Sequence, residues 1–225
     1  NYRFGSGGWD RDRGGDRRAD SKNNPKANFN IGANVQYATL DGKQLYPNSL
    51  AIDRDFTNVL PNAMFNYRWT NGRNLRIMYR TNTQAPSVSQ LQNVIDITNP
   101  LLLKSGNAKL DQDFEQTFIV RYGLTKAKTS RNFFLNIYAT AINNYIGNAT
   151  YAPIYGDSAY HDPNTNTDVI INRGAQLTRP VNVNGYVNTR TFLTYGMPIT
   201  GIKCNLNLNG GFNYTRTPGK INKDR

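Results

Sequence analysis

Apolar and polar residues alternate one by one along most of the chain. In 28–38, Phe29, Ile31, Ala33, Val35 and Tyr37 share one parity, against Asn28, Asn30, Gly32, Asn34 and Gln36. In 62–70, Ala63, Phe65, Tyr67 and Trp69 alternate with Asn62, Met64, Asn66 and Arg68. In 74–80, Leu75, Ile77 and Tyr79 alternate with Arg76, Met78 and Arg80. The same period runs through 114–124 (Phe118, Val120 and Tyr122 against Glu115, Thr117 and Arg121) and 131–146 (Phe133, Leu135 and Ile137 against Asn132, Asn136 and Thr140). It recurs in 181–199 (Val187, Leu193, Tyr195 and Met197 against Asn182, Asn184, Asn188 and Arg190) and in 202–214 (Cys204, Leu206 and Leu208 against Asn205, Asn207 and Asn209). A period of two puts neighbours on opposite faces of a strand. The pattern therefore predicts an all-β chain of about seven long strands, each with one apolar and one polar face.

The connections alternate as well. Short turns at 70–73, 125–130 and 198–201 are interleaved with long connections near 39–60, 83–112 and 147–179. That is the rhythm of an antiparallel up-and-down meander with unequal ends. Helical periodicity is weak, and at most a short helical turn is expected around Pro-Ser-Val-Ser-Gln-Leu-Gln-Asn-Val at 86–94. Residues 1–26 are rich in Gly, Arg and Asp and read as a loop or arm.

What lies behind the apolar face is the next question. Soluble strands average about 5–6 residues, whereas a strand crossing a bilayer needs about 9–11, with interfacial aromatic residues at both ends. Several of the segments reach the longer range. Trp69, Tyr122, Phe133 and Tyr195 lie near the short turns, and Tyr37, Tyr145 and Tyr214 lie at the opposite ends. Two such belts suit headgroup levels, where Tyr and Trp rings concentrate. A soluble β-sandwich alternates too and stands as the other reading. Strand length, the wetted character of an Asn/Arg/Thr/Gln face and the alternating loops all favour a membrane barrel.

Charge alters this picture only briefly. The 225 residues carry a formal +12, and the pI near 9.9 invites an anionic partner such as nucleic acid. Yet only 19% of residues are charged and 12% are aromatic, and the aromatic residues largely take the parity opposite to arginine. Nucleic-acid binding needs the two interleaved on one face, so no nucleic-acid partner is expected. The single Cys204 rules out an internal disulfide, and with the single His161 it leaves too few ligands for a His/Cys zinc site. No segment resembles a signal peptide, and no run approaches the roughly 18–20 apolar residues of a membrane helix.

Residues 80–117 carry a recognisable constellation: Arg80, Pro86, Leu91, then Asn99-Pro100-Leu101, then Gly106-Asn107 with Leu110. Together with the Leu60-Pro61 to Tyr67 stretch, this resembles the barrel of TonB-dependent outer-membrane receptors and the related outer-membrane β-barrel family of Gram-negative bacteria. Ala108 stands where that pattern has Pro, and Asp111-Gln112-Asp113 replaces its Lys-Pro-Glu type. The resemblance covers about 27–217 and says nothing of substrate. It implies a barrel of about 22 strands, an N-terminal plug domain, energy coupling through TonB, outer-membrane lipid as solvent, and uptake of a nutrient ligand. It also orients the short turns toward the periplasm. Seven strands cannot close such a lumen, so the chain is expected to be an internal piece: 1–26 an arm, 27–217 partial barrel and 218–225 a truncated tail or loop. A non-transport surface barrel with adhesive loops is the alternative.

Candidate chemistry is sparse. Asp10-Arg11-Asp12-Arg13-Gly14-Gly15-Asp16 resembles a calcium loop but has Ser21 where the twelfth-position Glu belongs. Gly5-Ser6-Gly7-Gly8 lacks the strand–helix context of a phosphate loop. His161, near Asp157 and Asp162, suggests no nucleophile–base pair. No enzyme activity and no cofactor are expected. The feature nearest to a site is the inward row Arg68, Arg76, Arg80, Arg121 and Arg190, read either as a basic lumen favouring a plug or anionic solutes, or as wetted lumen with arginines paired to acids such as Glu115.

Overall fold

A computed structural model describes residues 2–5, 26–44, 50–92, 94–162 and 167–222. The Asp10–Asp16 and Ser6–Gly8 stretches lie outside these described residues. In chain order the strands are β1 (Tyr2–Gly5), β2 (Lys26–Gln44), β3 (Leu50–Arg68) and β4 (Arg73–Gln84). A one-turn helix, α1 (Val88–Leu91), precedes β5 (Ile95–Asp96), β6 (Leu102–Ser105), β7 (Asp113–Lys126) and β8 (Arg131–Asn143). Then come β9 (Tyr145–Tyr151), β10 (Ser158–Asp162), β11 (Thr167–Ile171), β12 (Gln176–Val183), β13 (Tyr186–Ile199), β14 (Cys204–Arg216) and β15 (Lys220–Ile221).

The main sheet has eight strands in the order β1-β2-β3-β4-β7-β8-β13-β14, antiparallel throughout. It is the predicted up-and-down meander, open between its outermost strands. The short turns fall where the sequence places them. Gly72 adopts φ 77°, and a Cβ there would lie 2.3 Å from the Thr125 carbonyl oxygen, so only glycine fits beside the neighbouring turn. The β7–β8 and β13–β14 turns are single 3₁₀ turns closed by Ser130 and Lys203 in the left-handed region (φ 48° and 50°).

At the opposite end the strands continue into a second, five-stranded sheet ordered β15-β9-β12-β6-β5. The β8–β13 hairpin breaks at one level on both strands, at Asn144 (φ 54°) and Gly185 (φ 100°), and resumes as the β9–β12 pair. This breaks the alternation read across 131–146 and 181–199. Asparagine amides staple the break: Asn182 Nδ2 donates to the Asn144 and Asp111 carbonyls (2.8 and 3.0 Å), and its Oδ1 accepts from the Asp111 amide (2.8 Å). Leu103, Ala149, Tyr151, Ile171, Ala175 and Leu177 form a core over this second sheet. Fully burying such a leucine stabilises by roughly 1.5–3 kcal/mol, enough to give this region its own organising centre.

Four boundaries differ from expectation. The connection near 39–60 is largely strand, since β2 and β3 pair without a break from Lys26–Arg68 to Gln44–Leu50. Beyond the bilayer both faces of a hairpin are wet, so no apolar period marks it. Tyr2–Gly5, inside the expected arm, adds an edge strand on β2. Lys220–Ile221, inside the expected tail, pairs in parallel with Ala149–Thr150. Tyr145 belongs to no outer aromatic belt: beyond the break at Asn144 its ring stacks on Tyr186 at 4.6 Å.

Candidate functional site

The two faces of the main sheet follow the sequence parity across its ladders. On the outer face Phe65, Ile77, Val120 and Ile137 stand in register on successive strands. This face leaves large apolar side chains uncovered: Val35 is 72% exposed, Phe212 65% and Phe118 49%. A contiguous apolar surface of this extent, with no layer of the described residues against it, marks contact with a membrane or partner. At the short-turn end an aromatic chain runs through Phe65, Tyr67, Trp69, Tyr122 and Phe133, with centroid spacings of 4.5–6.4 Å. Tyr195 stands opposite Phe133 and completes that belt. Tyr37 and Tyr214, both exposed, lie toward the other end.

The inner face holds all five arginines of the predicted row. Arg68, near the turn, stands opposite Lys26 and Asn74. Arg76 stands opposite Asn66 on one side and Arg121 on the other. Arg80 lies opposite Asn62 and Thr117, and Arg190 opposite Tyr138 and Asn213. Only Arg76 and Arg121 are direct neighbours. Among the described residues none of the five is in an ion pair, whereas Arg54 approaches Asp111 at 3.9 Å. Glu115 instead accepts a hydrogen bond from the Thr117 hydroxyl at 2.8 Å. It shares a cavity of about 310 Å³ with Arg190, Tyr138, Tyr186 and Asn188.

Sequence reading passed over the aromatic residues on this inner face. Phe134 (42% exposed), Tyr138 and Phe192 (50% exposed) share the parity of Asn136 and Arg190. Counting every position in 131–143 and 186–199 by parity places them there, beside the polar residues that drew attention.

The constellation of residues 80–117 proves to be architectural. Ser87 and Gln90 form a reciprocal capping box around α1. The Asn107 amide donates to the Gln90 carbonyl at 2.6 Å, and its side chain donates to the Pro180 carbonyl at 3.0 Å. A Cβ on Gly106 would lie 1.9 Å from the Gln92 carbonyl oxygen. Leu91 and Leu110 are fully buried. Arg54, on the inner parity of the β2–β3 extension, donates to the Leu110 carbonyl at 2.7 Å. The motif thus folds the 83–112 connection against the wall, which is why it carries no word about substrate.

In the outer region, Tyr151, Tyr155, Tyr160, Asp157 and His161 line a cavity of about 740 Å³. His161 Nδ1 lies 2.8 Å from Asp168 Oδ1 across the β10–β11 pair, with both side chains more than half exposed. No group of three metal-ligating side chains occurs among the described residues. Asp96, in the 83–112 connection, accepts from the Thr98 hydroxyl (2.6 Å) and amide (2.9 Å), and these bonds hold its carboxyl below the usual range.

An open antiparallel meander with an uncovered apolar outer face, an aromatic girdle and a polar inner face is a section of transmembrane barrel wall. The pattern of the Outer membrane protein beta-barrel family matches residues 19–225, and the chain belongs to that family. Its location is the cell outer membrane. Among solved structures it is similar to the crystal structure of the siderophore receptor PirA from Acinetobacter baumannii. That similarity is 13% in identity with a TM-score of 0.43, and it covers 85% of this chain and 27% of that one. No curated protein matches the chain.

Proposed function

We propose that the chain is part of the wall of a TonB-dependent-type receptor, which takes a nutrient ligand from outside and passes it through a plugged lumen. The observation that carries this reading is the inner face: a wetted surface with five arginines, none in an ion pair among the described residues, set beneath an elaborated outer region. Lumen-facing arginines are the kind of groups that favour anionic solutes in a pore. The plug domain, TonB and a small ligand are the partners this reading calls for, by the resemblance of residues 80–117. The test is to delete the full-length gene and compare growth on limiting nutrients with that of the parent and of a TonB-deficient strain. Matching defects support uptake; wild-type growth on every limiting nutrient contradicts it.

One observation favours a second reading, adhesion by a non-transporting barrel. The outer region has its own core and displays Ile154, Tyr155 and Ile170 at 74%, 92% and 68% exposure. Surface-display binding to host or matrix proteins, retained in a TonB-deficient strain, distinguishes it.

A further inference from the structure

Arg76 and Arg121 are register partners across the β4–β7 ladder. Asn66 flanks Arg76 on β3, and Asn136 flanks Arg121 on β8. Four adjacent strands therefore present Asn, Arg, Arg and Asn in one line across the inner face. Side chains directly opposite each other start from Cβ atoms about 4.5–5.5 Å apart, and like charges so placed destabilise a sheet.

Among the described residues no counter-charge offsets the two paired positions. No carboxylate of a described residue lies within ion-pair distance of either guanidinium. Arg76 Nη2 donates to Met64 Sδ at 3.2 Å, and Arg76 Nε is enclosed with no acceptor among the described residues. A thioether is a weak acceptor, and an enclosed donor without a partner is costly. A half-buried guanidinium with an idle Nε, on the strand next to an exposed arginine at the paired position, is an arrangement that an oxyanion completes. The planar fork of each arginine matches a carboxylate's two oxygens, and the flanking amides add further donors.

We propose that Arg76 and Arg121 form a two-guanidinium seat for an oxyanion, a carboxylate above all, on the lumen side of the barrel wall. The seat rests on the reading of this face as a lumen and gives that lumen a ligand chemistry. It lies near the turn at 70–73, away from the outer region where an external ligand first arrives. A carboxylate there comes either from a solute in transit or from an acidic side chain elsewhere in the longer protein, and the two sources give different signatures.

The experiment uses the full-length protein, purified from outer membranes, as wild type, Arg76→Gln, Arg121→Gln, Arg121→Lys and the turn control Lys128→Gln. Thermal unfolding is followed in sodium citrate and in sodium chloride of equal ionic strength. A free carboxylate ligand predicts that citrate raises the wild-type Tm. Each Arg→Gln variant then loses about tenfold in citrate affinity, as expected for one charge-assisted fork. A carboxylate supplied by the protein itself predicts no citrate effect, a Tm several degrees lower in both Arg→Gln variants, and a smaller fall in Arg121→Lys. In both cases Lys128→Gln behaves as wild type. Unchanged or higher Tm in the Arg→Gln variants, with no citrate effect, reveals a bare like-charge contact and overturns the seat. The growth comparison above reads transport separately, so either proposal can fail without the other.

Discussion

Ile77 and Val120 stand directly opposite each other on the outer face of the β4–β7 ladder, while the adjoining Arg76 and Arg121 stand opposite each other on the inner face. A single peptide step thus separates an apolar surface from a charged one. The pleat makes that possible. A lipid solvent on one side and water on the other make it stable.

Substitution with arginine separates the faces energetically. Ile77→Arg or Leu193→Arg should cost about 2–4 kcal/mol if near the bilayer midplane, and less toward an interface. Asn209→Arg, on the inner parity where Asn209 Oδ1 accepts from the exposed Thr194 hydroxyl at 2.9 Å, should cost no more than about 1 kcal/mol, the loss of one wetted hydrogen bond. Urea unfolding of the full-length protein in lipid vesicles measures both. Equal costs on the two faces would contradict the assignment.

The break between the two sheets depends on Asn182, whose side chain makes hydrogen bonds to Asp111 and Asn144 at 2.8–3.0 Å. Asn182→Ala should loosen the outer sheet by about 1–2 kcal/mol, since each net hydrogen bond contributes roughly 0.5–1.5 kcal/mol and these are partly wet. Amide exchange in β9 and β12 should then accelerate about 5- to 30-fold, with β7 and β8 unchanged. Uniform acceleration across both sheets would refute a local role.

Gly106 is held against the Gln92 carbonyl, with an added Cβ only 1.9 Å from that oxygen. Backbone cannot yield as a flexible side chain does. Gly106→Ala should therefore cost about 1–3 kcal/mol through overpacking and expose the Asn107 amide to exchange. Full protection of that amide in the variant would show that the close approach is dispensable.

Asp96 supplies a prediction in pH. The Thr98 hydroxyl and amide bond its ionised form, so the folded carboxyl titrates below its unfolded value. That small stabilisation is present above the unfolded pKa and is lost as pH falls through the depressed folded value. Thr98→Val should move the Asp96 carboxyl resonance titration upward toward the usual range. An unmoved titration would assign the depression to another cause.

Much of the barrel wall was legible in the sequence because two solvents impose one period. Wherever lipid meets one face and water the other, as from Ala63 to Arg68 or Leu75 to Arg80, parity reads out the strand and both its faces. The three short turns were legible for a related reason, since each interrupts an apolar period. The outer region was not. Residues 39–44 pair with 50–55 beyond the reach of the apolar period, and the described residues of 145–162 and 167–183 fold around Leu177 and Ala149 through contacts distant in sequence, which no local period records. Asn144 and Gly185 break the period by their φ angles, and that hid the change of sheet at Tyr145. For the inner face, parity gave the arginine row but could not show that Arg76 and Arg121 stand opposite each other. Register between β4 and β7 depends on the 83–112 connection that joins them.

The central claim is that the apolar face of this sheet meets lipid and the polar face meets water. Site-directed spin labelling of the full-length protein tests it most directly. With Cys204 replaced by Ser, single cysteines at Ile77, Val120 and Leu193 are compared with cysteines at Asn66, Asn136 and Asn209 in reconstituted membranes. The account predicts that labels at the first three positions relax with oxygen, which concentrates in lipid, and labels at the other three with a water-soluble nickel chelate. Equal accessibility to both reagents at all six positions, or the reverse preference, would contradict it.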